Sequence, residues 1–131
     1  MDKVYFTWED FGFAVDTLVY KLRGDGLLSS ISRVYGVPRG GLVLAVVLSH
    51  RLDVPLVTIE DVVANGKTLV VDDISDSGKT LKRFGPLGVC TATIHVVPGT
   101  LFVPDVWALE RPKSSWVVYP WEVKNGQAEK S

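Results

Sequence analysis

The chain has 131 residues, 47% of them hydrophobic and 22% charged, with a formal net charge of −1. That length suits one domain with a real core, and the near-neutral balance lacks the basic excess with which a non-specific nucleic-acid binder neutralises phosphates. The single cysteine, Cys90, excludes an intramolecular disulfide and a multi-cysteine metal cluster. At the head of the apolar run CTATIHVV it reads as a core thiol. The opening MDKVYFTWEDF has acidic and aromatic residues where a signal peptide has a basic start and an apolar run. The longest apolar run, Gly41 to Leu48, is too short to span a bilayer. A soluble, cytoplasmic protein is expected, with neither membrane nor nucleic acid as a partner.

Thr7 with Asp10 has the pattern of a capping box, Asp standing in for Glu. Behind it Trp8, Phe11, Val15, Leu18, Val19 and Leu22 recur at three- and four-residue spacing, which predicts an amphipathic helix ending near Gly24. Ile31 to Val37 reads as a short buried strand, interrupted by Pro38-Arg39-Gly40-Gly41. Leu42 to Leu52 has helical length and composition, and Asp53-Val54-Pro55 closes it. Leu56 to Ile59 reads as a second strand. Asn65-Gly66, flanked by Val62-Val63 and by Lys67 to Val71, predicts a tight hairpin. The strand through Val70-Val71 runs into an acidic stretch. Lys79 to Phe84 then suits one or two helical turns, which Gly85-Pro86-Leu87-Gly88 must break. Cys90 to Val97 is a further strand, and Val106 to Ala108 and Trp116 to Tyr119 are short ones. The polar tail from Lys124 is expected to fray.

Strand–helix–strand order predicts an α/β fold, with a central, mainly parallel sheet flanked by helices. Ligands of such sheets bind at the carboxyl ends of the strands. Both conspicuous loops, PRGG after the first strand and DDISDSGKT after the third, fall at such ends.

The stretch VVDDISDSGKT, residues 70–80, ends like a nucleoside-triphosphate P-loop, but counting back from Gly78 puts Asp73 where the first glycine of that motif belongs. A carboxylate there repels a triphosphate and cannot make the tight turn. The residues divide the labour differently. Backbone N–H groups of Ser77, Gly78, Lys79 and Thr80 can cradle one phosphate monoester, with the hydroxyls of Ser77 and Thr80 as further donors. The carboxylates of Asp72 and Asp73 can accept from the vicinal hydroxyls of a sugar and help hold Mg²⁺. A ligand with a ribose diol at one end and a 5′-phosphate at the other fits that polarity.

With its hydrophobic lead, paired acids and phosphate loop, VVDDISDSGKT resembles the 5-phosphoribosyl-1-pyrophosphate (PRPP) motif of type I phosphoribosyltransferases. Val37-Pro38-Arg39-Gly40-Gly41 resembles the pyrophosphate loop of that family. Ser115 to Glu122, SWVVYPWE, resembles the base-binding end of the xanthine-guanine enzymes, as does the N-terminal YFTWEDF. The resemblance implies one phosphoribosyltransferase domain over residues 1–131. Its core would span about 25–100, a small hood for the base about 1–8 and 100–123, and a flexible tail 124–131.

It implies further that Asp72 and Asp73 bind the ribose hydroxyls, directly or through metal-bound water, and that Asp76 lies near the purine N7 as general acid or base. Ser75 to Thr80 would hold the 5′-phosphate. Pro38, Arg39, Gly40 and Gly41 would contact pyrophosphate, with a cis peptide expected at Pro38–Arg39. Trp116 would stack on the base, the Val117 backbone would read its edge, and Glu122 would join Asp72 and Asp73 near magnesium. The implied reaction is Mg²⁺-dependent transfer of phosphoribose from PRPP to guanine, xanthine or hypoxanthine in purine salvage, by a homodimer.

Two places depart from the family pattern. Only Glu60 to Lys67 connects the second and third strands, where family members carry a long lid, so the lid is shortened or missing, or a neighbouring subunit covers the site. Val97 stands before Pro98-Gly99 where the purine enzymes place a lysine for the 6-oxo group, leaving Lys113 and His95 as substitutes. These departures keep open a second reading, a non-catalytic or weakly active PRPP- or nucleotide-binding regulator. Trp107 and Trp121 read as packing residues, His95 as a hydrogen-bonded structural histidine, and Arg111 and Lys113 as solvated loop charges.

Overall fold

The computed structural model describes residues 2–64 and 67–124. A first strand, β1 (Asp2–Tyr5), which periodicity does not announce, leads through Thr7 into α1 (Trp8–Gly24). The capping box forms: the Asp10 N–H donates to Thr7 Oγ1 at 3.0 Å, and the Thr7 N–H to the Asp10 carboxylate at 2.9 Å. The stripe Phe11, Ala14, Val15, Leu18, Val19 and Leu22 is buried. The chain continues as β2 (Arg33–Gly36), α2 (Leu42–Leu52), α3 (Ile59–Ala64), β3 (Thr68–Ser75) and α4 (Lys79–Lys82). It ends in three strands, β4 (Cys90–Val96), β5 (Val106–Glu110) and β6 (Ser115–Val118).

Four strands form one parallel sheet in the order β2-β3-β4-β5. α1 and α2 cover one face, where Leu69 and Val71 of β3 join the main core. Val70 points the other way, into a smaller cluster with Val37, Val62, Leu81 and Phe84. Burial on both faces is why this strand shows no polar alternation. β1 and β6 pair in a separate parallel sheet of two strands, with Val4 opposite Val117. No helix among the described residues is long and apolar enough to cross a membrane.

The segment between β2 and β3 corrects two expectations. Of Leu56 to Ile59 only Leu56 pairs, with Val34, and Ile59 already opens α3. Val62 and Val63 are helical, so they do not form the first arm of a hairpin; Asn65-Gly66 itself lies outside the described residues, as do positions 125–131 of the tail. The cause is Thr58, whose N–H and hydroxyl lie 3.4 and 3.2 Å from the Asp61 carboxylate. Its carbonyl accepts from the Asp61 and Val62 N–H groups. Thr-x-x-Asp is a start signal that outweighs the β-branched pair. Val62 then packs inward at 1% exposure while Val63 stands out at 65%, the one-sided pattern of a surface helix.

Candidate functional site

The carboxyl ends of β2 and β3 lie side by side, so Val37 to Gly41 and Asp72 to Thr80 meet there. The first loop is pinned at both ends: the Val37 N–H donates to the Val71 carbonyl at 2.9 Å and the Gly41 N–H to the Val37 carbonyl at 2.8 Å. The Pro38–Arg39 peptide is cis, as expected. Its glycines permit contact with β3. A Cβ on Gly40 would stand 2.7 Å from Asp73 Cγ, and one on Gly41 would stand 3.0 Å from Asp72 Cα and closer still to the Val71 carbonyl.

Asp72 and Asp73 lie in the last half of β3, just beyond the residues that pair with β2. The Asp73 N–H donates to Asp72 Oδ1 and the Ile74 N–H to Asp73 Oδ1, both at 2.8 Å. Burial first, and then the adjacent Asp73 charge, raises the Asp72 carboxyl far above the ordinary carboxylate range. Burial raises Asp73 too, with the charge of Glu122 adding to it. Two adjacent half-buried acids disfavour double ionisation, so their titration belongs to the pair.

The loop from Ser77 to Thr80 is braced from behind. Gly78 adopts φ +87°, with no room for a Cβ against the Phe102 N–H and Thr100 Oγ1. The Leu101 N–H donates to the Ser77 carbonyl at 2.9 Å, and the buried Ser75 hydroxyl donates to the Phe102 carbonyl at 2.7 Å. The Ser75 hydroxyl is thus committed to the brace, although Ser75 lines, with Ser77, Gly78, Thr80, Asp72, Asp73 and Asp76, a cavity of about 240 Å³. Lys79 is absent from that lining, and its N–H is directed at Ser77 Oγ at 3.3 Å.

Two more cavities adjoin. One of about 670 Å³ is lined by Arg39, Gly40, Asp72, Asp73, Glu122 and Lys124, with Trp121 in its wall. Pro38 and Gly41 frame this loop without lining the cavity. The other, of about 250 Å³, lies between Asp73, Asp76 and Val97 on one side and Trp116, Val117 and Tyr119 on the other. Asp73 is common to all three. Trp116 is 56% exposed, so it is a bare aromatic face and not core filling. One Glu122 oxygen is occupied at 2.8 Å by the Tyr119 N–H, leaving the other toward the cavities.

Of the two basic residues considered opposite Val97, Lys113 reaches a neighbouring cavity that shares Asp76, Ser77 and Val97. His95 is wholly buried, with Nδ1 2.8 Å from the Tyr119 hydroxyl. Burial, and next the Arg111 charge, lowers its pKa to about 4, so the ring is neutral. Trp121 stacks on Tyr119 at 5.1 Å and Trp107 lies under Lys21, as packing residues do.

Sequence reasoning missed four contributors. Tyr119 was detectable, since Ser115, Val117 and Tyr119 alternate onto one face of the chain and Val117 and Tyr119 are buried. Thr100 and Phe102 act on a loop more than twenty positions away, and Lys124 sits in what composition marks as tail, so neither left a local signal.

A comparison with models of protein families finds no match. The xanthine-guanine phosphoribosyltransferase of Cereibacter sphaeroides is 28% identical over 144 aligned positions, covering 91% of this chain and 86% of that protein. The xanthine-guanine-hypoxanthine phosphoribosyltransferase of Helicobacter pylori superimposes with a TM-score of 0.73 at 22% identity, covering 92% of this chain and 94% of that one, a likeness of fold. The crystal structure of a purine phosphoribosyltransferase from Pyrococcus horikoshii Ot3 superimposes with a TM-score of 0.79 at 31% identity, covering 99% of this chain and 100% of that one. On that identity and coverage, with two loops at adjacent strand ends and three cavities meeting at Asp73, the chain belongs to the purine phosphoribosyltransferases of the type I fold.

Proposed function

We propose that the protein transfers the 5-phosphoribosyl group of PRPP to a ring nitrogen of guanine, xanthine or hypoxanthine, releasing pyrophosphate, in purine salvage. The observation that carries this reading is the sharing of Asp73 by three cavities whose chemistry differs. A phosphate loop, a mixed cation–carboxylate basin and an aromatic slot match the three parts of the reacting pair.

In this reading the Ser77–Thr80 backbone and hydroxyls hold the 5′-phosphate, while the carboxylates of Asp72 and Asp73 accept from the ribose diol. Arg39, with Lys124 across the basin, neutralises the leaving pyrophosphate. The C1–oxygen bond to pyrophosphate breaks through an oxocarbenium-like state and a C1–nitrogen bond forms on the opposite face. Asp76, on the boundary of the phosphate cavity and the slot, takes the proton that the purine nitrogen gives up. The β1–β6 sheet is the hood: Trp116 stacks on the base and the Val117 backbone reads its edge.

The donor set suits a hard cation. Desolvated carboxylates at Asp72 and Asp73 offer oxygen only, and among the described residues no third acid such as Glu122 completes with them a group of three placed to hold an ion. Mg²⁺ is commonly held by one or two carboxylates plus substrate phosphates, so a protein cage of three ligands is not required. Bound there with PRPP, Mg²⁺ supplies neutralisation of pyrophosphate charge. A homodimer in the cytoplasm completes the reading. The exposed Leu42 and Val46 on α2 support self-association, and light scattering tests it.

The protein incubated with PRPP, Mg²⁺ and each of guanine, xanthine, hypoxanthine and adenine should form a nucleoside monophosphate from at least one 6-oxopurine. No nucleotide from any base, with PRPP binding intact by calorimetry, supports the regulatory reading instead. Within the transferase reading, Trp116→Ala should lower kcat/KM for the base about tenfold, as loss of a stacking face does. The Kd for PRPP should stay unchanged. Weakened PRPP binding would place Trp116 outside the base slot.

A further inference from the structure

His95 and Tyr119 lie where the two sheets meet, and no step of the proposed transfer uses them. His95 stands on β4 in register with Ile74 and Leu109, buried on every side. The Tyr119 hydroxyl donates to the backbone carbonyl of Asp73 at 3.2 Å. An oxygen that gives its proton there receives one from His95 Nδ1, 2.8 Å away, which assigns the Nδ1-protonated tautomer. Phe6, just after β1, packs edge-on against both rings, at 5.0 and 5.7 Å. Nε2 of His95 has no protein partner among the described residues. Burying a polar nitrogen unpaired is unfavourable, so the imidazole is seated here for its Nδ1 contact.

We propose that His95 and Tyr119 are positioning residues, which fix the strand carrying Trp116 and Val117 at a set distance from Asp73. The inference rests on the phosphoribosyl-transfer reading, because only there do the two sides hold the two reactants. The base is held by β6, and the phosphoribose by the ends of β2 and β3. β6 has no ladder to the main sheet, whereas the Tyr119 hydroxyl reaches from the end of β6 to the residue lining all three cavities. Attack on the anomeric carbon needs the two reactants in near-contact geometry, and small misplacement is expensive.

Tyr119→Phe keeps the ring against Trp121 and Phe6 and removes only the hydroxyl. It should lower kcat about tenfold while the calorimetric Kd for PRPP stays within about twofold. His95→Leu should do the same, and the double variant should be no worse than either single one, because all three cut one chain of contacts. If His95→Leu does not fold, Tyr119→Phe decides alone. A folded Tyr119→Phe protein with unchanged kcat overturns the inference, and so does equal weakening of PRPP binding, since a general structural defect lowers both. Wild-type protein that turns over no purine overturns the transfer reading and this inference together, whereas active wild type with an indifferent Tyr119→Phe overturns the inference alone.

Discussion

Asp72→Asn combined with Asp73→Asn is expected to lower kcat/KM by about three orders of magnitude or more, and to make the ligand-free protein more stable. The activity loss follows from removing both acceptors for the ribose diol and the negative charge that answers a cation, at the point where charge develops in the reaction. The gain in stability has the opposite physical origin. Two adjacent carboxylates are held half-buried, each disfavoured by desolvation and by the other acids nearby. Asn keeps the size and the acceptor oxygen and removes the charge.

Linkage makes this separable by pH. Asp72 in the folded protein binds its proton more tightly than in the unfolded chain, with a value raised from 3.8 to about 8. Between those limits the native state holds the extra proton, so stability falls as pH rises. Ligand-free wild type should melt at least about 5 °C lower at pH 8 than at pH 5, which corresponds to roughly 1 kcal/mol in a domain of this size. The double variant should lack this slope, and PRPP with Mg²⁺ should remove it from wild type. The account fails if both proteins lose the same Tm over that range.

The adjacent glycines Gly40 and Gly41 should respond to alanine in different currencies. A Cβ on Gly40 runs into the carboxylate of Asp73, 2.7 Å from Cγ and 2.9 Å from Oδ1. A short side chain can rotate away, so Gly40→Ala should fold with nearly wild-type Tm while Asp73 leaves its place and kcat/KM falls about a hundredfold. A Cβ on Gly41 meets backbone: the Val71 carbonyl, the Val37 nitrogen at 2.9 Å and Asp72 Cα at 3.0 Å. Val71 and Asp72 belong to the paired strand β3 and the Val37 N–H is bonded to the Val71 carbonyl, so these atoms cannot yield separately. Gly41→Ala should therefore destabilise by about 2 kcal/mol, the usual size of an overpacked core, and lower Tm by about 8 °C. Thermal melts and steady-state kinetics on both proteins check this. Equal Tm values for the two variants would contradict the assigned contacts.

Much of this was legible in the sequence because the signals are local. The Thr7–Asp10 box and the apolar stripe behind it mark α1 and its end near Gly24, though Trp8 of that stripe is exposed, and Leu42 to Leu52 has only one sensible period. That the loops at Val37–Gly41 and Asp72–Thr80 would come together was readable, because both follow strands of one parallel sheet. The failures are equally physical. The Val62-Val63 pair favours a strand, but Thr58 and Asp61 supply a helix start and the small cluster around Val70 needs one apolar residue, not two. β1 is four residues long and takes its structure from a partner more than a hundred positions away, so nothing near it in the chain could announce it. The role of Tyr119 depends on where β3 ends in space, which no spacing rule encodes.

That pairing of β1 with β6 also sets an order of events during synthesis. Residues 2–5 are made well before residues 115–118 and have no ladder to join until those have been made. The strands that carry the two loops meeting at Asp73 are complete by Ser75, and their neighbour β4 by Val96. A nascent chain can therefore assemble those strand ends while the partner of β1 is still untranslated. Closing so long a loop is slow compared with local contacts, so among the described residues the two-stranded sheet is the last element to form.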